Sequence, residues 1–146
     1  TLMYIPQEPF IIDGTIKENI ILGENPLKID TLRVNKAVEV SNLQTLIKSL
    51  PHGIDTQVGE NGSRLSGGQR QRIQIARAIY MRRNFLVFDE ATSALDIQTE
   101  EEILEELVKL REEFTILMVS HRSNLQKYCT KFYVLEKGRL NQKDIN

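Results

Sequence analysis

Two short strings in this 146-residue chain carry side chains suited to a polyanion and a hard metal ion. Ser66-Gly67-Gly68-Gln69 lies inside Leu65–Arg72, LSGGQRQR, and Asp89-Glu90 follows the apolar run Phe85–Phe88 within FLVFDEATSALD. A helix start leaves backbone N–H groups unpaired and carries partial positive charge. Two glycines would let an anion approach that backbone with no Cβ in the way. The serine hydroxyl can cap the helix or donate to a phosphate oxygen. The dipole alone contributes only ~0.3–2 kcal/mol, so such a site needs other cations. Taken alone, S-G-G-Q fits a capped helix with a flexible start equally well.

The paired carboxylates suggest the metal. Strand carboxyl ends face the ligand crevice of open α/β sheets. There Asp89 could hold Mg²⁺, directly or through water, as a hard oxygen ligand. Glu90 could take a proton from an attacking water or orient it. For a lone D-E pair, a solvated acidic turn is the better reading. His121, in Val119-Ser120-His121-Arg122, could reach a γ-phosphate from a third direction, although a lone histidine at a strand end is more often structural or solvent-facing. Gln7, after Ile5-Pro6, could contact the metal or the water, or be an ordinary polar loop residue. Ser93-Ala94-Leu95-Asp96 reads equally as a turn and helix cap.

The elements that must position these groups can be read from period and punctuation. Leu2–Ile5 is a strand ended by Pro6, and Thr15 with Glu18 has the capping-box spacing ahead of Ile20-Ile21-Leu22. A helix is expected from near Asp30 to Val40. Ser41 with Gln44 repeats the capping-box spacing, and Leu43, Leu46, Ile47 and Leu50 form one apolar face before Pro51. Ser66 should cap a long helix reaching about Arg82. Asn84 to Phe88 and Phe114 to Val119 are continuous apolar runs, as expected for strands buried on both faces of a parallel sheet. Between them a helix from about Thr99 to Arg111 starts with Glu100, Glu101 and Glu102 and ends with Lys109 and Arg111, which suits its dipole. Phe132 to Leu135 and Arg139 to Asn141 flank Lys137-Gly138 as a hairpin. Alternating strands and helices make the chain α/β.

Composition bounds the function. With 40% hydrophobic and 27% charged residues the chain is ordinarily globular and long enough for one domain with a core. A net charge of -1 offers no broad attraction to nucleic acid or an anionic membrane. One cysteine, Cys129, allows no internal disulfide and fits a reducing setting. The apolar runs are too short to span a bilayer.

Five strings occur in one order between Tyr4 and Arg122: Tyr4-Ile5-Pro6-Gln7, LSGGQRQR, FLVFDE, SALD and SHR. In that order they resemble an ATP-binding cassette (ABC) ATPase domain over nearly the whole chain. The resemblance implies a P-loop NTPase-like parallel sheet with an inserted helical subdomain, at about 15–82, and a sheet core at 1–14 and 83–146. It implies ATP and Mg²⁺ as cofactors. Gln7 matches the Q-loop glutamine, which links metal and water to the membrane partner. Ser66, Gly67, Gly68 and Gln69 match the signature residues that bind the γ-phosphate of nucleotide held by the other subunit of a dimer. Asp89 matches the Walker B magnesium ligand, Glu90 the catalytic glutamate, Asp96 the D-loop residue at the dimer interface, and His121 the switch histidine. The implied partners are a second nucleotide-binding domain, in a homo- or heterodimer, and the transmembrane domains of a transporter, which puts the chain at the cytoplasmic face of a membrane. Pro6 to Phe10 with Asp13 to Ile20, and the X-loop-like Asp55 to Gly62, resemble exporters and flippases rather than importers or the soluble cassette ATPases of DNA repair and translation.

One expected string is missing: no G-x-x-x-x-G-K-[ST] loop occurs among the 146 residues. The Walker A loop and the adenine-stacking aromatic precede the Q-loop in this family and hold most of the triphosphate. The sheet is therefore expected to be incomplete, with a gap where the Walker A strand would lie beside the strand before His121. The opening at Thr1, straight into a strand, is expected of a fragment cut inside a domain. By itself the chain should neither bind ATP tightly nor hydrolyse it. The alternative is a non-hydrolysing module that donates Ser66 to Gln69 in trans to a partner's ATP.

Overall fold

Parallel pairing of three short strands, and burial of one face of that sheet by helices, organise the computed structural model, which describes residues 2–145. In chain order it has β1 (Leu2–Ile5), α1 (Ile16–Ile20), α2 (Thr31–Val40), α3 (Gln44–Ser49), α4 (Gly67–Tyr80), β2 (Phe85–Asp89), α5 (Ile97–Leu110), β3 (Thr115–Val119), β4 (Phe132–Glu136) and β5 (Arg139–Lys143), with short 3₁₀ turns between some of them. The main sheet runs β1-β2-β3, all parallel, with Ile5 beside Phe88 and Asp89 beside Val119. The β4–β5 hairpin forms a sheet of its own. Lys137 and Gly138, at φ 48° and 76°, supply the two left-handed residues that a tight hairpin turn between right-twisted strands requires.

The sheet is buried on one side only. Ile5, Leu86 and Phe88 are essentially inaccessible and share a core with Ile73, Ala76, Ile103 and Leu107 of α4 and α5. In a parallel register Tyr4, Val87 and Leu117 point the other way together. There Leu2, Tyr4, Leu117 and Val119 are each about half exposed. The expectation that β2 and β3 are buried on both faces is thus corrected. Their apolar runs could support two packed faces, but α4 and α5 cover one. β3 pairs only with β2, so the gap expected beside it is present among the described residues.

Local capping explains most of the helix starts. Thr15 and Glu18 form the expected box, and Asp30 caps α2 by accepting the Arg33 N–H. Ser41 does not cap α3, contrary to the spacing argument. Its hydroxyl turns back to donate to the Ala37 carbonyl at 2.7 Å. Asn42 sits at φ 53°, and the N–H groups of Asn42 and Leu43 donate to Glu39 and Val38, closing α2 with a Schellman motif. Ser41 therefore ends one helix rather than starting the next. Arg82, at φ 53°, and Arg83 close α4 in the same way, so that helix stops at Tyr80, two residues before the expected end.

The stretch 15–82, read as a helical subdomain, contains α1 to α4, and its buried side chains continue without a break into the sheet core. One buried cation ties it together. Arg77 on α4 donates from Nε to the Asn19 carbonyl at 2.7 Å and from Nη1 to the Phe10 carbonyl at 3.0 Å. Asn19, itself inaccessible, bonds both backbone groups of Ile12. Burial pushes the Arg77 guanidinium down to about 10, so it stays charged at neutral pH. Replacing Arg77 by Leu should lower stability by about 3 kcal/mol, because the buried Asn19 carbonyl and the part-buried Phe10 carbonyl lose a charged donor. Denaturant titration of the variant against the parent checks this.

Candidate functional site

Because β1, β2 and β3 are parallel, the residues just past their carboxyl ends gather at one sheet edge. Gln7 lies two residues past β1, Glu90 directly after β2, and His121 two residues past β3. Glu90 adopts φ 51°, a left-handed conformation that costs a non-glycine residue roughly 1–2 kcal/mol. The surroundings enforce it. Its N–H donates to the Val119 carbonyl at 2.9 Å, and its own carbonyl accepts from the Ser93 N–H at 3.0 Å and the Ser93 hydroxyl at 2.7 Å.

The side chain is held as firmly as the backbone. Glu90 Oε1 accepts the His121 backbone N–H at 3.1 Å and lies 2.9 Å from His121 Nδ1. With the proton on Nδ1, the ring donates to the carboxylate and turns Nε2 outward as an acceptor. Glu90 Oε2 is buried and has no protein partner. One oxygen is thus fixed by His121 and the other is free for a small polar ligand, an arrangement that suits a general base.

Asp89 is joined by a residue that sequence reasoning did not single out. The Tyr4 hydroxyl donates to Asp89 Oδ2 at 2.6 Å, and this hydrogen bond, with lesser contributions from burial and charge, raises the pKa of the phenol. The signal for it was the strand register: Tyr4 pairs with Val87, two residues before Asp89 on the same sheet face. Gln7 stands apart from the carboxylates. It lines a cleft of about 610 Å³ with Phe10, Gly67, Arg70, Ala91 and Leu95. Among the described residues no group of three or more His, Cys, Asp or Glu is gathered as a metal cage. Mg²⁺ takes few protein ligands, hard oxygens such as a single carboxylate, and fills the rest of its octahedron with phosphate oxygens and water. Asp89 has the chemistry for that role, whereas Gln7 lies in the adjoining cleft and is not brought to the carboxylate.

Gly67, the first of the glycine pair, also lines this cleft. Ser66 Oγ accepts the Gln69 N–H at 3.2 Å and Gln69 Oε1 accepts the Ser66 N–H at 2.9 Å, a complete capping box. Ser66 and Gln69 thus have structural work already. A Cβ on Gly68 would sit 2.5 Å from Thr99 Cγ2, and one on Gly67 would sit 3.1 Å from Leu95 Cδ2. The glycines are needed where the start of α4 meets the turn into α5. Asp96 caps α5 by accepting the Thr99 N–H at 3.0 Å, and hydrogen bonding at Thr99 holds its carboxyl below the usual carboxylate range.

Sequence reasoning also passed over Arg122. Its Nη1 donates to Glu100 Oε2 at 2.7 Å and its Nη2 to the Ser93 carbonyl at 2.7 Å. Glu100 is inaccessible to solvent. The acidic run at the start of α5, read as a dipole partner, is used more specifically: Glu100 meets Arg122, Glu101 meets Lys127 and Glu102 meets Arg72.

A family profile described as "ABC transporter" matches residues 1–93. The chain belongs to the ABC transporter family. It is similar to the ATP-binding part of exporter-type members, and the family is one of ATP-binding ATPases. An uncharacterized ABC transporter ATP-binding protein of Sinorhizobium fredii is 41% identical over 94% of the chain, which covers 23% of that protein. An ATP-dependent lipid A-core flippase of Cupriavidus metallidurans is 39% identical over 95% of the chain, covering 24% of the flippase. The structure of a bacterial Atm1-family ABC exporter with ATP bound superposes with a TM-score of 0.80 at 36% identity, over 95% of the chain and 24% of the exporter. The chain thus spans about a quarter of the length of these relatives. No helix among its described residues is long and apolar enough to cross a membrane.

The close approach of α4 to α5 is testable by itself. Gly68→Ala should destabilise the domain by about 1–3 kcal/mol through overpacking. Thr99→Ser, which removes the obstructing methyl and keeps the hydroxyl, should recover most of that loss in the double variant. Thermal melts of the two single variants and the double variant check the coupling.

Proposed function

We propose that this chain is the later part of the nucleotide-binding domain of an ABC exporter or flippase, in which ATP hydrolysis drives a transmembrane partner. Two such domains would meet at the cytoplasmic face of the membrane with ATP between them. In this reading Asp89 would hold Mg²⁺, which would neutralise charge on the transferring phosphoryl group, and Gln7 would reach the ion from the adjoining cleft. Glu90 Oε2 takes the proton of the attacking water. His121 holds the other carboxylate oxygen and orients the base. Ser66 to Gln69 grip the γ-phosphate of the nucleotide carried by the facing domain, and Asp96 lies at that interface.

The observation that carries this reading is the Glu90 carboxylate, with one oxygen bonded to His121 and the other buried without a partner. The capping box is compatible with phosphate binding. A hydroxyl that accepts the Gln69 N–H keeps its own hydrogen to donate, and the Gln69 amide keeps both of its hydrogens while its oxygen accepts. The other reading, a module that only donates Ser66 to Gln69 in trans, leaves the Glu90–His121 pair without a use.

In the assembled transporter, Glu90→Gln should lower ATP turnover by about 10²–10⁴-fold, the usual share of a general base, with nucleotide affinity within a few-fold of the parent. Turnover unchanged by that substitution would remove the role from Glu90. The 146 residues by themselves contain no phosphate loop and should show no ATPase activity in a phosphate-release assay. A rate that is measurable and disappears with Glu90→Gln would contradict this.

A further inference from the structure

Four residues from two loops, the proposed base among them, close a ring of contacts. His121 bonds Glu90 through both its backbone N–H and its ring. Arg122, the next residue, donates to the Ser93 carbonyl. Ser93 in turn donates its N–H and hydroxyl to the Glu90 carbonyl. The second arm of Arg122 is anchored by Glu100, a fully inaccessible carboxylate whose remaining oxygen has no partner. The Arg122 backbone N–H is also engaged, by the Ser120 hydroxyl at 3.1 Å.

We infer that Arg122 is a positioning residue for hydrolysis, setting the His121 loop and the Ser93–Asp96 turn in register around Glu90; this rests on the proposed reading of Glu90 as the base. The side chain of His121 is 77% exposed, so packing does little to fix its direction. The direction is set by the loop that carries it, and Arg122 binds that loop to α5 and to the turn after β2. Arginine suits the task because its planar fork serves two acceptors at once, the Glu100 carboxylate and the Ser93 carbonyl, each at 2.7 Å. A lysine ammonium is a compact point charge that would serve one of them well and the other poorly. The plainer role would be neutralisation of buried Glu100. In that case any solution that removes or pairs the charge would serve.

Two variants of the assembled transporter separate these roles. In Arg122→Lys, kcat for ATP should fall about 10- to 100-fold, the scale of a small misplacement of reacting groups, with KM within twofold. In the double variant Arg122→Met/Glu100→Leu, apolar residues replace the ion pair and should restore the melting temperature to near that of the parent, because a buried pair is replaceable in stability terms. Its kcat should remain low. Parental kcat in either variant overturns the inference, and the lysine variant decides the matter if the double variant fails to fold. Glu90→Gln is run alongside: an active E90Q protein means that the reading of Glu90 has failed, whereas an inactive E90Q beside normal Arg122 variants means that only the role of Arg122 has.

Discussion

Everything at the candidate site depends on β2 pairing in parallel with strands on both sides. The pairing of Ile5 with Phe88 and of Asp89 with Val119 brings three chain segments, far apart in sequence, to the same sheet edge at the same height. Shifting one strand by a single residue would invert its side chains and separate Tyr4 from Asp89 and His121 from Glu90. The register is held from the buried side, where Ile5, Leu86 and Phe88 meet α4 and α5 in one core. The chemistry on the edge is thus specified by apolar packing on a face it does not touch.

The same helices serve both tasks. α4 begins at Gly67 and Gly68 and carries Arg77, which fastens the segment from Phe10 to Asn19. α5 begins at Asp96, presses Thr99 against Gly68, and buries Glu100 beneath Arg122. Residues matched to nucleotide contact and to the dimer interface are therefore also helix caps and packing surfaces. Holding the proposed reactive residues in place and folding the domain draw on one set of contacts.

What was legible in the sequence was local. The box at Thr15/Glu18, the Ser66 cap and the turn-and-cap at Asp96 involve partners three residues apart, and the strands announced themselves as apolar runs ended by polar loops. The string order from Tyr4 to Arg122 was enough to place the family. Ser41 misled because a serine followed by a polar residue three positions on is also compatible with a helix end, and only the left-handed Asn42 decides between them. The Tyr4–Asp89 bond spans 85 residues and the Arg122–Glu100 pair spans 22, so neither follows from periodicity. Two-sided burial of β2 and β3 was over-read because an apolar run records what a strand can support rather than what covers it.

The open side of the sheet has a thermodynamic consequence. Leu2, Tyr4, Leu117 and Val119 are already wetted in the folded state. Melting these 146 residues by themselves therefore brings less fresh hydrocarbon into contact with solvent than their composition implies. Both the heat-capacity increment and the urea m-value scale with that newly hydrated area. For its length, the chain should have a flatter stability curve and a broader denaturant transition than a domain whose central sheet is enclosed on both sides.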